Sequence, residues 1–403
     1  MIGVGVGLGD LAARRALANA GVRLLLDFAR GQYYRDGAFY AREQVPDLLF
    51  SRGSAAGRIG PGGLRETLGP NVLRITYDRV TGAARGYLPE EARTDIVPNS
   101  NAITAANGYS SNTAAWAVNG AVGPDGTMSA TRLTASEYFF IDLAQPANGT
   151  FVLSAWARAA AGTSYNARLS ILNRSSNALK ASKIITVTDV WERFDVIGTT
   201  DGAATGLRAQ MWETAGGVPP QVGTAIWGFD VQPGAFPTST IVTNGGALTR
   251  ASDDLYAGLV AVNHPLTLVA DAYLDGIDGV DRHLVVLSEI LAPTSNRLGI
   301  RRLNNNQLIA QVVSTAGVST QANLGTFTGN GRIKVAVRLA QGQLSASVNG
   351  GAPVVVEGVT SPVGMERLTI GRFPFGLGHW SAPIASVLLT RDVTAPLHQL
   401  SQI

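Results

Sequence analysis

Gly331-Arg332-Ile333-Lys334-Val335-Ala336-Val337-Arg338-Leu339-Ala340-Gln341-Gly342-Gln343-Leu344-Ser345-Ala346-Ser347-Val348-Asn349-Gly350-Gly351 reads as two strands and their turns. Ile333, Val335, Val337 and Leu339 alternate with Arg332, Lys334, Ala336 and Arg338, the period of two that a strand shows when one face is buried. Gln341-Gly342 reverses the chain, Leu344, Ala346 and Val348 carry the alternation back, and Asn349-Gly350-Gly351 is a second turn signal. The pattern recurs upstream. Phe151, Leu153, Ala155 and Ala157 share one parity and Val152, Ser154, Trp156 and Arg158 the other, while Leu207, Ala209 and Met211 alternate with Arg208, Gln210 and Trp212. Short strands about ten residues apart, with turn residues between them, predict an all-β chain built of jelly-roll β-sandwiches.

Composition agrees. Charged residues are 15% of the 403, below the roughly 25% of ordinary soluble chains, and the 47 glycines exceed the usual share of about 7%. The length allows more than one domain, since single cores stop growing near about 250 to 300 residues. A formal charge of +3, with the basic residues scattered, speaks against a nucleic-acid groove. Lysine occurs only at Lys180, Lys183 and Lys334. The arginine excess suits anion recognition by planar forks, with compositional bias the simpler reading. The absence of cysteine removes a disulfide framework, a thiolate metal site and a cysteine nucleophile. No basic segment precedes an apolar core and no apolar run reaches about 18 residues, so neither a signal peptide nor membrane insertion is expected.

Three regions follow. Residues 1–98 form an N-terminal module in which Gly3, Gly5, Gly7 and Gly9 alternate with aliphatic residues and Asp10 caps a short helix from Leu11 to Ala20, ended by Gly21. A dinucleotide loop would need a preceding strand, so a terminus that orders against a neighbouring subunit is the expectation. Leu24 to Phe28 reads as a strand with Gly31 to Gly37 as its turn, and Pro46 to Pro98 carries short strands such as Leu73 to Tyr77 with too little apolar content for a core of its own. This module is expected to lean on partners. Residues 99–248 form a first sandwich, Thr249 to Asp254 a linker, and residues 254–403 a second sandwich closed by Leu368 to Arg372 and Ile384 to Leu389.

An ordered series of motifs runs through the first two regions. Phe50-Ser51-Arg52-Gly53-Ser54-Ala55 is followed by Tyr77-Asp78-Arg79-Val80-Thr81-Gly82 and by Gly86-Tyr87-Leu88-Pro89-Glu90-Glu91-Ala92-Arg93-Thr94-Asp95. Then come Asn99-Ser100, Trp116, Gly123-Pro124-Asp125-Gly126-Thr127-Met128 with Leu133-Thr134, and Trp227-Gly228-Phe229-Asp230-Val231-Gln232-Pro233-Gly234-Ala235-Phe236-Pro237-Thr238-Ser239. Together, from Leu26 to Asp253, these resemble tailed-bacteriophage virion proteins in which a module of the type LxFxRxS, YDPVTG and GLLxEEARTN precedes jelly rolls. Pro89 stands where that pattern has an aliphatic residue and Asp95 where it has asparagine. The resemblance implies a virion-attachment module, a middle domain similar to carbohydrate-binding modules, and a C-terminal part that looks like a concanavalin- or laminin-G-like sandwich.

Five of the six tryptophans, Trp116, Trp156, Trp191, Trp212 and Trp227, fall in the middle region. An indole beside a guanidinium suits a sugar, the ring against pyranose C–H groups and the cation towards hydroxyls or carboxylates. Trp156, Arg158 and Trp212 share outward parity and form the candidate glycan-binding set, against the reading that both sheet faces are covered and the rings are packing. Trp116 and Trp227 are read as core. Asp275, Asp278 and Asp281 could present oxygens to calcium, but their spacing is not that of an EF-hand loop, and a solvated loop is the simpler reading. His264, His283, His379 and His398 lack metal-ligand spacing, so no metal and no cofactor are expected. Glu90-Glu91 and Glu289 are not tied together as a glycosidase pair would be.

No catalytic constellation emerges, and the expectation is a non-enzymatic virion structural protein on the particle surface. It would attach to other virion proteins through its N-terminal module, form a homo-oligomer such as a trimer, and contact host surface polysaccharide as a tail-associated fibre, spike or receptor-binding component. A capsid-decorating or head-fibre protein and a glycan-degrading depolymerase spike are the alternatives.

Overall fold

The computed structural model describes residues 16–403 except 146, 203–204, 213–218, 276–278 and 377. The expected glycine-rich start, most of the Leu11 to Ala20 helix, and Asp278 of the aspartate triplet lie outside the described residues, as does the side chain of Asp275. One helical turn, residues 16–19, remains before Gly21.

The chain is all β, as the alternation implies. Residues 330–348 form the expected hairpin: Asn330–Ala340 pairs antiparallel with Gln343–Val348, and Gln341 and Gly342, at φ of 53° and 73°, make the reversal. They belong to a ten-stranded sheet whose main path is Val354–Val356, Gln343–Val348, Asn330–Ala340, Leu266–Asp275, Ile384–Thr390, Val22–Asp27, Gln32–Arg35 and Ala38–Tyr40. A seven-stranded sheet faces it, in the order Ser319–Thr326, Gln307–Val313, Arg297–Arg302, Arg282–Ser288, Met365–Ile370, Asp254–Val262 and Leu48–Ser51. Between them Leu268, Ala270, Val335, Val337 and Leu389 meet Leu255, Leu287, Ile300 and Leu368 in one core.

The N-terminal region therefore does not stand apart at residue 98. Val22–Asp27 pairs with Ile384–Thr390, and Leu48–Ser51 with Asp254–Val262, so each sheet of the C-terminal sandwich takes a strand from it. Leu24 and Leu26 are wholly buried in that core, and each such burial contributes about 1.5–3 kcal/mol. The apolar content judged too thin for a core of its own serves the core of the distant half. The middle sandwich is consequently an insertion, two five-stranded sheets between the strands Arg93–Asp95 and Leu248–Arg250. Those two strands pair antiparallel, Asp95 opposite Leu248, so the chain enters and leaves the insertion side by side.

One sheet of the insertion runs Tyr109–Ser111, Phe139–Leu143, Leu207–Trp212, Tyr165–Asn173, Leu179–Val187. The other runs Trp116–Ala121, Ala130–Leu133, Ala225–Pro233, Thr150–Arg158, Glu192–Thr199. Phe139, Leu153, Ala155, Leu169, Leu207, Ala209, Met211 and Phe229 fill the space between them. The parity read from the sequence places Phe151 to Ala157 and Leu207 to Met211 inward as expected.

The junction between the sandwiches is polar and dry. Arg52, Arg74 and Arg250 converge on Glu90 and Asp253, all five almost inaccessible to water. Arg52 Nη1 donates to Asp253 Oδ1 at 3.0 Å, Arg74 bridges Asp253 and Glu90, and Arg250 Nη1 lies 3.0 Å from Glu90 Oε2. The Ser239 amide and hydroxyl both donate to Glu90 at 2.7 Å, and the Glu90 amide donates to Asp253 Oδ2 at 2.9 Å. Burial pushes the Glu90 carboxyl up, but Arg250, Arg74 and the Ser239 donors outweigh it and hold it at about 2. The third guanidinium charge has no carboxylate of its own, and backbone carbonyls of Ser54, Gly57, Gly69 and Glu91 take further donors, leaving the Nε of Arg74 and of Arg250 without an acceptor. Removing one partner from such a buried network leaves an uncompensated charge and costs about 3–5 kcal/mol. Arg52, Glu90 and Ser239, all members of the motif series, meet at this point.

Candidate functional site

Outward parity holds for Trp156, Arg158 and Trp212, but on two different sheets. Trp156 and Arg158 lie on Thr150–Arg158 and Trp212 on Leu207–Trp212, and with their sheet mates filling the core between, they point away from each other. The three cannot form one site.

The face bearing Trp156 is largely covered. Trp156, Trp191 and Trp227 are buried together with Ala130, Ala225 and Ile59, the last from the hairpin Ala56–Ile59/Arg65–Leu68 of the junction. Each indole N–H is satisfied internally: Trp156 donates to Thr240 Oγ1 at 3.0 Å, Trp191 to the Val122 carbonyl at 3.1 Å and Trp227 to Ser129 Oγ at 2.9 Å. Arginines lie over the rings, Arg79 on Trp156 at 5.0 Å, Arg65 on Trp227 at 4.9 Å and Arg158 on Trp191 at 5.2 Å. The indole–guanidinium chemistry expected for a sugar is thus used here, through Arg79 and Arg65, to dock the junction onto the sandwich, while the Arg158–Trp191 pair lies within it. Gly228 shows how close the approach is. At φ of 58°, a Cβ there would stand 2.6 Å from Thr240 Cγ2. Trp227 belongs to this outer cluster and not to the main core, on which Trp116 does pack.

The opposite face is open, and its residues follow from strand register. Trp212 lies across from Arg168, which lies across from Ile184, 65% exposed. Tyr138, just ahead of Phe139–Leu143, stacks on Trp212 with ring centroids 3.4 Å apart at 30°. In the next row Phe140, Gln210, Ser170 and Ser182 stand side by side. Beyond it Arg208 lies 3.9 Å over the Phe140 ring and grips Asp142 with two bonds of 2.8 and 2.9 Å. Those bonds raise the Arg208 guanidinium and leave neither Asp142 oxygen without a donor. Arg168 has no carboxylate partner among the described residues, its Nε is shielded without an acceptor, and the wholly buried Ser170 hydroxyl beside it is likewise unpartnered. The face therefore offers an aromatic platform and an uncommitted cation, with Gln210 and Ser170 buried beneath them. Tyr138 and Arg168 escaped the sequence reading because only the register brings them to Trp212, whereas Gln210, two residues ahead of it on the same strand, was read as sharing its face. The run Tyr138-Phe139-Phe140 was the available signal.

The remaining candidates are dispersed. Glu90 is locked in the junction, Glu91 pairs with Arg93 at 2.6 Å, and Glu289 accepts from Asn296 at 2.9 Å. His283 and His379 are buried, and burial pushes them down to about 3 and about 4. Asp281 accepts the Asn304 amide at 2.8 Å, and no group of three metal-ligating side chains occurs among the described residues. No helix among them is long and apolar enough to cross a membrane.

No protein-family model and no curated protein matches the chain. Among solved structures it is similar to the CBM40 domain of a Ruminococcus gnavus IT-sialidase, with 13% identity, TM-score 0.29, and 34% of this chain and 82% of that one covered. The same domain is also known bound to alpha2,3 sialyllactose, at 14% identity and TM-score 0.29, covering 36% and 84%. A heptameric SAP-like pentraxin of Limulus polyphemus follows with 14% identity, TM-score 0.27 and coverage of 36% and 70%. These neighbours include carbohydrate-binding modules, but at such identities and TM-scores the likenesses carry no functional argument.

Proposed function

We propose that this chain is a non-catalytic bacteriophage virion protein, tail-associated, which holds host surface glycans on the Tyr138–Trp212 face of its middle sandwich. The observation that carries the reading is the stacked Tyr138–Trp212 pair beside the uncommitted Arg168. A stacked aromatic pair gives a rigid apolar surface for pyranose C–H groups, and Arg168 supplies directional donors. The carboxylate on this face, Asp142, is held by Arg208, and an acid held by a guanidinium is poorly placed to give up or take a proton. The motif series from Leu26 to Asp253 supports the virion assignment, with the N-terminal region as the part that meets other virion proteins. Weak contacts on one face gain avidity when copies are multiplied, so a homo-oligomer such as a trimer belongs to this reading.

The test is calorimetric titration with host polysaccharide alongside an assay for reducing ends. Trp212→Ala should weaken binding at least about tenfold, as loss of a central aromatic anchor does, with no reducing ends released by either protein. Undiminished binding by Trp212→Ala would sink the site, and released reducing ends would sink the non-catalytic reading.

A further inference from the structure

The face that carries Trp156 is not sealed throughout. Where hairpin, sheet and the stretch Pro237 to Thr240 meet, an open cleft of about 310 Å³ remains, with Arg58, Arg65, Arg193, Trp156, Ser239 and Thr240 in its wall. Ligand pockets run from about 300 to 1,000 Å³, so this one has room for a single sugar-sized or smaller molecule.

Its charges are unequal. Arg58 is neutralised by Glu66, whose Oε2 accepts from Nε and Nη2 at 2.9 and 2.7 Å. Glu90, also in the wall, is saturated by Arg74, Arg250 and Ser239. Arg65 and Arg193 make no ion pair among the described residues. Arg65 donates to Thr67 Oγ1 at 2.7 Å and to the Thr240 carbonyl at 3.1 Å, and Arg193 to Ser154 Oγ at 2.7 Å. The Nε of each is shielded from water without an acceptor. Burial first, and the Arg193 cation after it, push the Arg65 guanidinium down to about 10 against the pull of Asp125 and Asp230. Two cations thus share one cleft with no carboxylate paired to either among the described residues.

We propose that the cleft is an oxyanion site in which Arg65 and Arg193 together hold the carboxylate or phosphate group of a small ligand. Planar guanidinium forks match such groups in a way that point charges do not. Arg65 comes from the junction hairpin and Arg193 from the inserted sandwich, so an occupant bridges the two. The site is separate from the Tyr138–Trp212 face and does not rest on the glycan reading.

The full chain is melted in sodium phosphate, sodium glucuronate and sodium chloride at matched ionic strength, as wild type, Arg193→Gln, Arg65→Gln and Trp212→Ala. Phosphate or glucuronate should raise Tm above chloride, and the apparent Kd read from the dependence of Tm on anion concentration should rise about 10- to 100-fold in Arg193→Gln, the weight of a hydrogen bond to a charged group. A shift with phosphate alone assigns the site to a free oxyanion, and one with glucuronate alone to an acidic sugar. Trp212→Ala should keep the shift while losing glycan, which separates the two sites. No anion-specific shift in wild type, or an equal shift in Arg193→Gln, overturns the proposal. Should Arg65→Gln fail to fold, Arg193→Gln still decides it.

Discussion

Asp95 and Asp230 lie side by side, both wholly buried. Asp95 Oδ1 accepts the amides of Val97 and Val231 at 3.0 Å, and Asp230 Oδ2 accepts from Gln232 Nε2 at 2.7 Å and the Ile241 amide at 3.2 Å. Asp95 Oδ2 and Asp230 Oδ1 have no donor among the described residues, and a proton shared between the two carboxyls would satisfy both. Burial, then the neighbouring Asp230, pushes Asp95 well above the usual carboxylate range, and burial pushes Asp230 up to about 6 in spite of Arg193. A carboxyl raised on folding adds stability that is complete below its ordinary value of about 4 and is lost as pH rises through the folded value. An asparagine at position 95 would donate its amide to Asp230 without any proton. Asp95→Asn should therefore unfold at higher urea than wild type at pH 8, by on the order of 1–3 kcal/mol, with the two converging near pH 4.5. Parallel curves across that range would refute the shared proton. The buried His283 and His379 act in the opposite sense in both proteins, their contribution falling away as pH drops below about 6.5.

Single elements were the most legible level. The alternation in Ile333 to Leu339 and the Gln341-Gly342 reversal appear in the structure at those residues, because period-two burial and a two-residue turn are local properties. Gly342 sits at φ of 73° with no tight neighbour, so its demand is conformational. Gly342→Val should lower stability by about 1–2 kcal/mol, read as a shift in the urea midpoint. Gly331→Ala, at a position without positive φ and with open space for the methyl, should leave the midpoint in place or raise it. Equal losses in both would show that the turn is not what holds the hairpin. Parity also told correctly which side of each strand faces the core, yet a sandwich has two outer faces. Nothing in the spacing of Trp156 and Trp212 reveals that they occupy opposite ones, or that the first is roofed by residues 56–68.

At the scale of the whole molecule the sequence was least informative. The pairing of Leu25 with Leu388, or of Phe50 with Leu255, joins residues hundreds of positions apart and leaves no local trace. A division into three successive regions was accordingly the natural reading, and the discontinuous sandwich came only with the register. Residues 254–403 alone would lack Val22–Asp27 and Leu48–Ser51, exposing apolar strand neighbours and two unpaired edges. Expressed alone, that piece should aggregate or melt without cooperativity. A monodisperse, cooperatively melting product would contradict the shared core. The paired passage at residues 93–95 and 248–250 has a mechanical consequence as well. Whatever tugs on the inserted sandwich is resisted by two backbone tethers, one running from Ala84–Tyr87 of the ten-stranded sheet and the other into Asp254–Val262 of the seven-stranded sheet. The load is therefore divided between the two sheets of the C-terminal sandwich, and neither has to carry it alone.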